Sequence, residues 1–281
     1  MGKLQTMLKK LEAEYSLKNI FTIMCANGKE TAAEYMLNDK IIGITYEQYE
    51  LYIRAAATRV KQNVKRPKGE FVGLKFENDP LWPVAFWGIL MAGFQPVLID
   101  YKSNEQATMH VLKQAGARVL ITDLEMDLAG ITIIKPENIV AYRYEDVEPD
   151  NMEDFADQIG LCTSGTTATA KVYVYDGKAI GNQIYFAKGI IAKNKDIMPE
   201  GHIKNLAFLP FHHIFGFIAV YLWYSFFGKT IVYLQDRTPE TILATCQKHK
   251  ITHIYSVPLF WNSVAQGLIR KVKLEGDKKL Q

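Results

Sequence analysis

The chain has 281 residues, of which 48% are hydrophobic and 12% aromatic, and it carries a formal net charge of +3 at pH 7. This composition predicts a globular protein with a substantial core and excludes an intrinsically disordered chain. Because the charge is small and spread along the chain, it indicates neither nucleic-acid nor membrane binding.

Cysteine usage and hydropathy bear on the compartment. Cys25, Cys162 and Cys246 are odd in number, lie far apart and form no Cys-x-x-Cys pair, which favours a reducing compartment. Charged residues occupy the N-terminus, where a signal peptide needs an apolar segment. The longest apolar run, residues 217–227, is well short of the ~20 residues that span a bilayer. We therefore expect a soluble, cytoplasmic protein without a membrane span.

The first predicted elements are a helix, a strand and a second helix. Thr45 and Gln48 have the spacing of a capping box, and the apolar residues after them recur at helical intervals. Apolar residues alternate over residues 71–76, which predicts a strand. Asp79-Pro80 is typical of an N-cap followed by proline in the first turn, and Gly93 is typical of a helix end.

The same order of elements repeats directly afterwards. Residues 96–100 predict a second strand, and Ser103 with Gln106 predicts another capping box. That helix is expected to stop at Gly116, and residues 118–122 predict a third strand. Strands and helices that alternate with short links predict a parallel sheet with right-handed crossovers.

A second α/β unit is predicted near the C-terminus. Residues 206–210 and 230–234 are typical of strands around an apolar helix, Thr238-Pro239 predicts a helix cap, and residues 251–257 predict a further strand. Shorter strands are expected over residues 131–176. The predicted fold class is α/β, with two subdomains of mostly parallel sheets flanked by helices, packed side by side around a ligand cleft.

One loop between two strand-like segments is rich in hydroxyl groups. Residues 161–172 read LCTSGTTATAKV, and Asp176-Gly177 after them signals a turn, so we predict a strand–loop–strand tip. A Walker P-loop is excluded, because Ala170 stands where that motif needs glycine and Val172 where it needs Ser or Thr. Small residues, hydroxyls and Lys171 nonetheless suit a phosphate. From the residues alone, phosphate binding and a plain polar turn both stay open.

The loop resembles a known phosphate-binding signature. TSGTTATAK is similar to that of the AMP-forming, or adenylate-forming, ligase superfamily, which includes acyl- and aryl-CoA synthetases. The matching positions are Thr163, Ser164, Gly165, Thr166, Thr167 and Lys171. Ala168, Ala170 and Val172 replace a glycine, a proline and a glycine of the family pattern. Every side chain that the pattern brings to phosphate is kept.

Further segments support the resemblance. Residues 209–217, LPFHHIFGF, resemble the family's second signature and put His213 on the family histidine. Segments such as VGLKFENDPLWPVAFWGILMAGFQPVLID follow the family's N-terminal part in order and spacing, so the resemblance covers nearly the whole chain. His213 is then expected to line the acid pocket and His212 to be structural. We expect the two adjacent histidine side chains to diverge, and we predict no metal site.

The resemblance implies a two-step reaction. The carboxylate of a small-molecule acid attacks the α-phosphate of Mg-ATP, pyrophosphate leaves, and a thiol then takes the acyl group from the acyl-adenylate. The implied cofactors are ATP, Mg²⁺ and coenzyme A, or the pantetheine of an acyl carrier protein as partner. Lys171 and the hydroxyls of residues 163–167 would hold the β- and γ-phosphates, and His213 would orient the acid. An acyl or aryl acid is favoured, because no aspartate near PFHHIFG is available for an amino acid's ammonium group.

The family's later signatures are not found after Val257. These are an aromatic-Gly-x-Thr-Glu segment, a ribose-binding aspartate and a lysine in a swinging C-terminal domain. We therefore expect residues 1–281 to be an incomplete N-terminal AMP-binding (adenylation) domain without the C-terminal lid domain, with very slow turnover or none by itself. The alternative is a non-catalytic nucleotide- or acyl-binding module that keeps the fold.

Overall fold

The computed structural model describes residues 2–162, 170–199, 201–258, 260–262, 265–266 and 269. The α-helices are α1 (Lys3–Ala13), α2 (Leu17–Cys25), α3 (Tyr46–Asn63), α4 (Trp82–Met91), α5 (Glu105–Ala115), α6 (Gly177–Lys193), α7 (Trp223–Phe226) and α8 (Pro239–His249). A π-helix, Gly216–Leu222, precedes α7. Within the described residues no helix is both long and apolar enough to cross a bilayer.

The strands form two sheets. They are β1 (Thr31–Leu37), β2 (Lys40–Thr45), β3 (Phe71–Lys75), β4 (Gln95–Leu98), β5 (Val119–Thr122), β6 (Thr132–Ile134), β7 (Gln158–Cys162), β8 (Val172–Asp176), β9 (Lys204–Leu206) and β10 (Thr230–Val232). One sheet has the order β2-β1-β10-β9 and the other β6-β5-β3-β4-β7-β8. Among the strands of the described residues, only the β1–β2 and β7–β8 pairs are antiparallel. The predicted class, two α/β subdomains with mostly parallel sheets flanked by helices, is confirmed.

The six-stranded sheet has a point where its chain order reverses. The chain moves from β3 to β4 on one side and then returns past β3 to β5 on the other. Helix α4 packs in the large core that both sheets share, whereas α5 packs with a smaller cluster on the opposite face. The loops after β3 and β4 therefore diverge, which opens a crevice at the carboxyl ends of these strands.

The four-stranded sheet combines the two ends of the chain. The β1–β2 hairpin pairs in parallel with β10, so residues 31–45 lie beside residues 204–232. Sequence reasoning placed no strands at residues 31–45, although Asn38-Asp39 at the tip of the hairpin is a local turn signal. The pairing of β1 with β10, about two hundred residues away, leaves no local signal. The two subdomains are consequently not two successive pieces of the chain.

Several predicted boundaries are confirmed and others are wrong. The Thr45–Gln48 capping box is present at the start of α3. The second box is wrong, because Asn104 caps α5 through Ala107 N–H while the Ser103 hydroxyl is taken up by Lys75 and Asp100. Helix α4 begins later than predicted, since the Asp79 carboxylate accepts Leu81 N–H in a preceding turn.

The C-terminal strands are shorter than predicted. Strand β9 stops at Leu206 rather than Pro210, and β10 stops at Val232. Residues 251–257 make one isolated bridge, between His253 and Asn205, instead of a strand. Their apolar residues contact the core from a loop, which alternation alone does not distinguish from pairing. Asp176 is an N-cap rather than a turn residue, and Gly177 is the first residue of α6.

Candidate functional site

The hydroxyl-rich loop joins two adjacent strand ends. Strands β7 and β8 pair from Gln158–Asp176 to Cys162–Val172, so the predicted strand–loop–strand tip is confirmed at its base. The predicted phosphate-binding residues Thr163, Ser164, Gly165, Thr166 and Thr167 lie outside the described residues.

Gln114 of α5 binds the backbone at the β8 end of this loop. Its Nε2 donates to Ala170 O at 2.7 Å, and its Oε1 accepts Val172 N–H at 3.1 Å. The two bonds bracket Lys171, whose side chain is exposed directly before β8. The sequence carries no motif at Gln114, and its role comes from packing α5 beside β8.

His213 lies where the chain passes from β9 into the π-helix. Its N–H donates to Pro210 O at 3.2 Å, and its carbonyl accepts Phe217 N–H at 2.8 Å. Gly216 permits this tight path, because a Cβ there would stand 2.0 Å from Pro210 O. The glycine of the LPFHHIFGF motif therefore has a steric cause.

A cavity of about 440 Å³ separates the β7–β8 hairpin from the His213 segment. The hairpin side contributes Leu161, Cys162, Tyr173 and Tyr175. The opposite side contributes Leu209, Pro210, His213, Ile214, Phe215, Gly216 and Val257. None of these described lining residues is Asp, Glu, Lys or Arg, so the cavity suits an apolar group. Burial raises the pKa of the Cys162 thiol to about 11, which keeps it protonated and unreactive.

A smaller, polar cavity of about 210 Å³ adjoins the first at Pro210 and His213. Its lining combines the loops after β3 and β4 with the His212–His213 segment and Arg237. The crevice at the carboxyl ends of β3 and β4 and the apolar cavity therefore meet at His213. Lys171 lines neither cavity. The two strands that its loop joins, β7 and β8, both contribute residues to the wall of the apolar cavity.

His212 faces the turn after β4. Its Nε2 lies 3.3 Å from Asp100 Oδ1, and burial lowers the pKa of the imidazole to about 4 despite that carboxylate, so the ring is neutral at pH 7. The expectation that the two histidine side chains diverge is wrong, because the ring centroids of His212 and His213 lie 4.3 Å apart. Within the described residues no three His, Cys, Asp or Glu side chains are grouped to hold a metal ion.

Lys75 is a buried residue that sequence reasoning missed. Its side chain has no exposed area, and its Nζ lies 2.5 to 2.9 Å from Asp100 O, Tyr101 O, Ser103 O and the Ser103 hydroxyl. These contacts hold the turn that carries Asp100 toward His212. A lysine inside the alternating strand FVGLK was the available signal, since a charge on the buried face needs partners.

Comparisons with known proteins agree with this geometry. The chain belongs to the AMP-binding enzyme family, which matches residues 25–280. Among curated proteins, it is 24% identical over 265 residues to a long-chain-fatty-acid–CoA ligase of Rattus norvegicus, covering 82% of this chain and 39% of the ligase. It is 26% identical over 213 residues to the 2-succinylbenzoate–CoA ligase of Bacillus pumilus, covering 74% and 41%.

Solved structures show the same fold. The fatty acyl-adenylate ligase from L. pneumophila, in complex with acyl adenylate and pyrophosphate, superimposes with a TM-score of 0.69 at 19% identity, over 88% of this chain and 45% of that one. The chain thus spans well under half the length of these curated ligases and matches their N-terminal part. The resemblance to adenylate-forming ligases predicted from the motifs is confirmed.

Proposed function

We propose that this chain is the N-terminal adenylation portion, residues 1–281, of an ATP-dependent acid–thiol ligase. The parent protein activates a carboxylic acid as its acyl-adenylate and transfers the acyl group to coenzyme A or a carrier-protein pantetheine. The observation that carries the proposal is the apolar cavity that runs from His213 to the base of the hydroxyl-rich loop. It brings an acid-sized pocket beside the segment with the phosphate signature.

The phosphate part of the site has the right donors. Thr163, Ser164, Thr166 and Thr167 supply hydroxyls, Gly165 allows a close backbone approach, and Lys171 supplies charge. These groups would hold the β- and γ-phosphates while charge grows on the α-phosphorus. Mg²⁺ would screen the charge of the phosphates. Residues 163–171 carry hydroxyl and ammonium groups rather than the carboxylates of a protein Mg²⁺ site, which suits an ion that arrives already bound to ATP.

The acid part of the site favours an uncharged body. The described cavity wall offers aromatic and aliphatic side chains, and the imidazole of His213 is its polar group nearest the crevice. His213 would donate a hydrogen bond to the acid's carboxylate and orient it. Because no described residue that lines the apolar cavity carries a carboxylate, an ammonium group held in that cavity would find no partner there, so acyl or aryl acids are preferred over amino acids.

Binding measurements on the 281-residue chain test both parts. Titration calorimetry with Mg-ATP compares the wild type with Lys171→Ala and with Lys178→Ala, an exposed lysine of α6 that serves as control. We expect Lys171→Ala to weaken Mg-ATP by about tenfold or more, as for loss of a charged phosphate contact. Equal affinity in all three proteins would contradict the phosphate assignment.

Sulfamoyl-adenosine analogues of straight-chain and aromatic acids test the pocket. His213→Ala should weaken these analogues but leave Mg-ATP affinity unchanged, whereas the exposed control His202→Ala should change neither. ATP–pyrophosphate exchange should be negligible for this chain and substantial for the parent protein. Robust exchange by residues 1–281 alone would show that the domain is not incomplete.

The second candidate function is that of a non-catalytic nucleotide- or acyl-binding module. The changes at Ala168, Ala170 and Val172 within the phosphate signature favour it. Under this alternative the analogues bind, yet the product of the full gene catalyses no exchange with any acid of the panel.

A further inference from the structure

Asn78 connects the two sheets beside the polar cavity. It follows β3 of the six-stranded sheet, and its side chain reaches the segment 207–211 that follows β9 of the four-stranded sheet. Its Nδ2 donates to Ala207 O at 3.0 Å and to Leu209 O at 2.8 Å. Its Oδ1 accepts Phe211 N–H at 3.0 Å. One amide therefore serves three alternate residues of a single segment, as a neighbouring strand would.

The segment needs such a partner because it has left its own sheet. Ala207 N–H still donates to Val232 O of β10, but β9 has ended at Leu206, and no strand of the described residues pairs with residues 208–211. Ala207 and Phe211 are buried, and buried backbone groups without partners are costly. An amide is the side chain that supplies both donors and an acceptor at this one point.

The path of this segment sets where His213 lies. Leu209 and Pro210 line the apolar cavity together with His213, and the His213 N–H donates to Pro210 O. His213 is two residues beyond Phe211, the last residue that Asn78 holds. A shift of the segment relative to β3 would therefore move the imidazole relative to the β7–β8 hairpin across the cavity.

We propose that Asn78 is a positioning residue, which fixes the His213 segment against the six-stranded sheet so that the imidazole faces the acid site. The proposal rests on the function proposed above, in which His213 orients the acid. Asn78 itself acts on the backbone of residues 207–211 and needs no contact with the substrate.

Amide hydrogen exchange, followed by NMR on the 281-residue chain, tests the anchor without any ligand. In Asn78→Leu the Phe211 amide should lose protection by about tenfold or more, since it loses its acceptor, and the His213 amide should follow. Amides of β3 and β4 should keep theirs. If the leucine variant folds poorly, Asn78→Asp is measured instead. It keeps the acceptor for Phe211 N–H but removes both donors, so the Phe211 amide should stay protected. Unchanged protection at Phe211 in Asn78→Leu would overturn the proposal.

A double-mutant cycle then tests the connection to His213. Affinity for the sulfamoyl-adenosine analogue of the best acid in the panel is measured for Asn78→Leu, His213→Ala and the double variant, with Asn151→Leu as an exposed asparagine control. We expect Asn78→Leu to cost about tenfold in the wild-type background and little in the His213→Ala background. Mg-ATP affinity should not change in either.

The two proposals fail differently. Additive losses in the cycle, or equal losses of analogue and Mg-ATP affinity, would overturn the positioning role while leaving the acid site intact. If His213→Ala has no effect, or no analogue binds the wild type, the proposed function fails, and the exchange of Phe211 still decides whether Asn78 is the anchor.

Discussion

The side chain of Lys75 holds the turn that follows β4. Its ammonium group lies within hydrogen-bonding distance of four oxygen atoms of residues 100–103, and burial lowers its pKa to about 8. The nearby Asp100 carboxylate opposes this effect but does not cancel it. Near pH 7 this lysine is still mostly protonated, and its ammonium group holds the turn that faces His212.

Replacing Lys75 by methionine should change how stability depends on pH. In the wild type the unfolded lysine keeps its proton up to about pH 10.5, while the folded one loses it above about pH 8. The free energy of unfolding should therefore rise between these pH values, by at most about 3 kcal/mol. Urea unfolding at a series of pH values should show that Lys75→Met lacks this rise, whereas the exposed control Lys113→Met keeps it. Equal slopes in all three proteins would contradict the buried titration.

His212 should have the same sign of effect at acid pH. Its pKa is lowered from 6.5 to about 4 by burial, so the unfolded state binds a proton in this interval and the folded state does not. Stability present above pH 6.5 should therefore be lost as the pH falls toward 4. Thermal unfolding should show a smaller loss for His212→Asn than for the wild type, with His202→Asn, an exposed histidine, as the control. A wild-type melting temperature that is flat over this interval would contradict the assignment.

Motifs pointed to the proposed substrate-binding residues but not to residues that hold a loop in place. Lys171 and His213 stood in recognisable signatures. Lys75, Asn78 and Gln114 were missed, because their partners are backbone groups of other loops. A backbone carbonyl has no residue identity, so the sequence does not show which loop such a bond reaches, even where a buried charge such as Lys75 signals that partners are needed.

At the scale of elements, the π-helix Gly216–Leu222 depends on both its local sequence and its tertiary packing. An apolar helix was predicted here, and it is present, but as a π-helix continued by α7. Its first residue packs against Pro210 O, so the helix can begin only at a glycine. The start of the helix and the path of the His213 segment therefore depend on each other.

Gly216→Ala should destabilise the protein and displace the His213 segment. The added Cβ would lie 2.0 Å from Pro210 O, which is backbone and cannot move aside freely. We expect a loss of about 2–4 kcal/mol in the free energy of unfolding by urea. Gly189→Ala in α6 is the matched control, because its Cβ would meet nothing within 4 Å and it should gain about 0.5–1 kcal/mol. Equal effects of the two substitutions would contradict the close approach.

At the scale of the molecule, one core connects both sheets. The largest buried cluster includes residues of α2, α3, α4 and the π-helix together with strands of each sheet. A polar bond crosses the same boundary, because Trp87 Nε1 of α4 donates to the Tyr221 hydroxyl of the π-helix at 2.7 Å. The subdomains share their interior, so neither should be stable by itself.

Unfolding should therefore be a single cooperative transition. Far-UV circular dichroism and tryptophan fluorescence should give coincident urea curves, because Trp87 of α4 reports on the boundary that both sheets share. Tyr221→Phe leaves the buried Trp87 N–H without its acceptor and should cost about 1–3 kcal/mol in a transition that stays single. Tyr144→Phe, a half-buried control, should cost little. Separate transitions for the two probes would contradict a shared core.

The sequence by itself determined the α/β class, the helix caps such as Thr45 and Thr238, and the two signatures that contain Lys171 and His213. These features depend on periodicity, local hydrogen bonds and residue type within a few positions. Only the tertiary structure decided that residues 31–45 join β10, that Lys75 and Asn78 hold the edges of the cleft, and that residues 251–257 form no strand. The physical reason is that these outcomes depend on pairing between segments far apart in the chain, where the partner's backbone rather than a local pattern determines the structure.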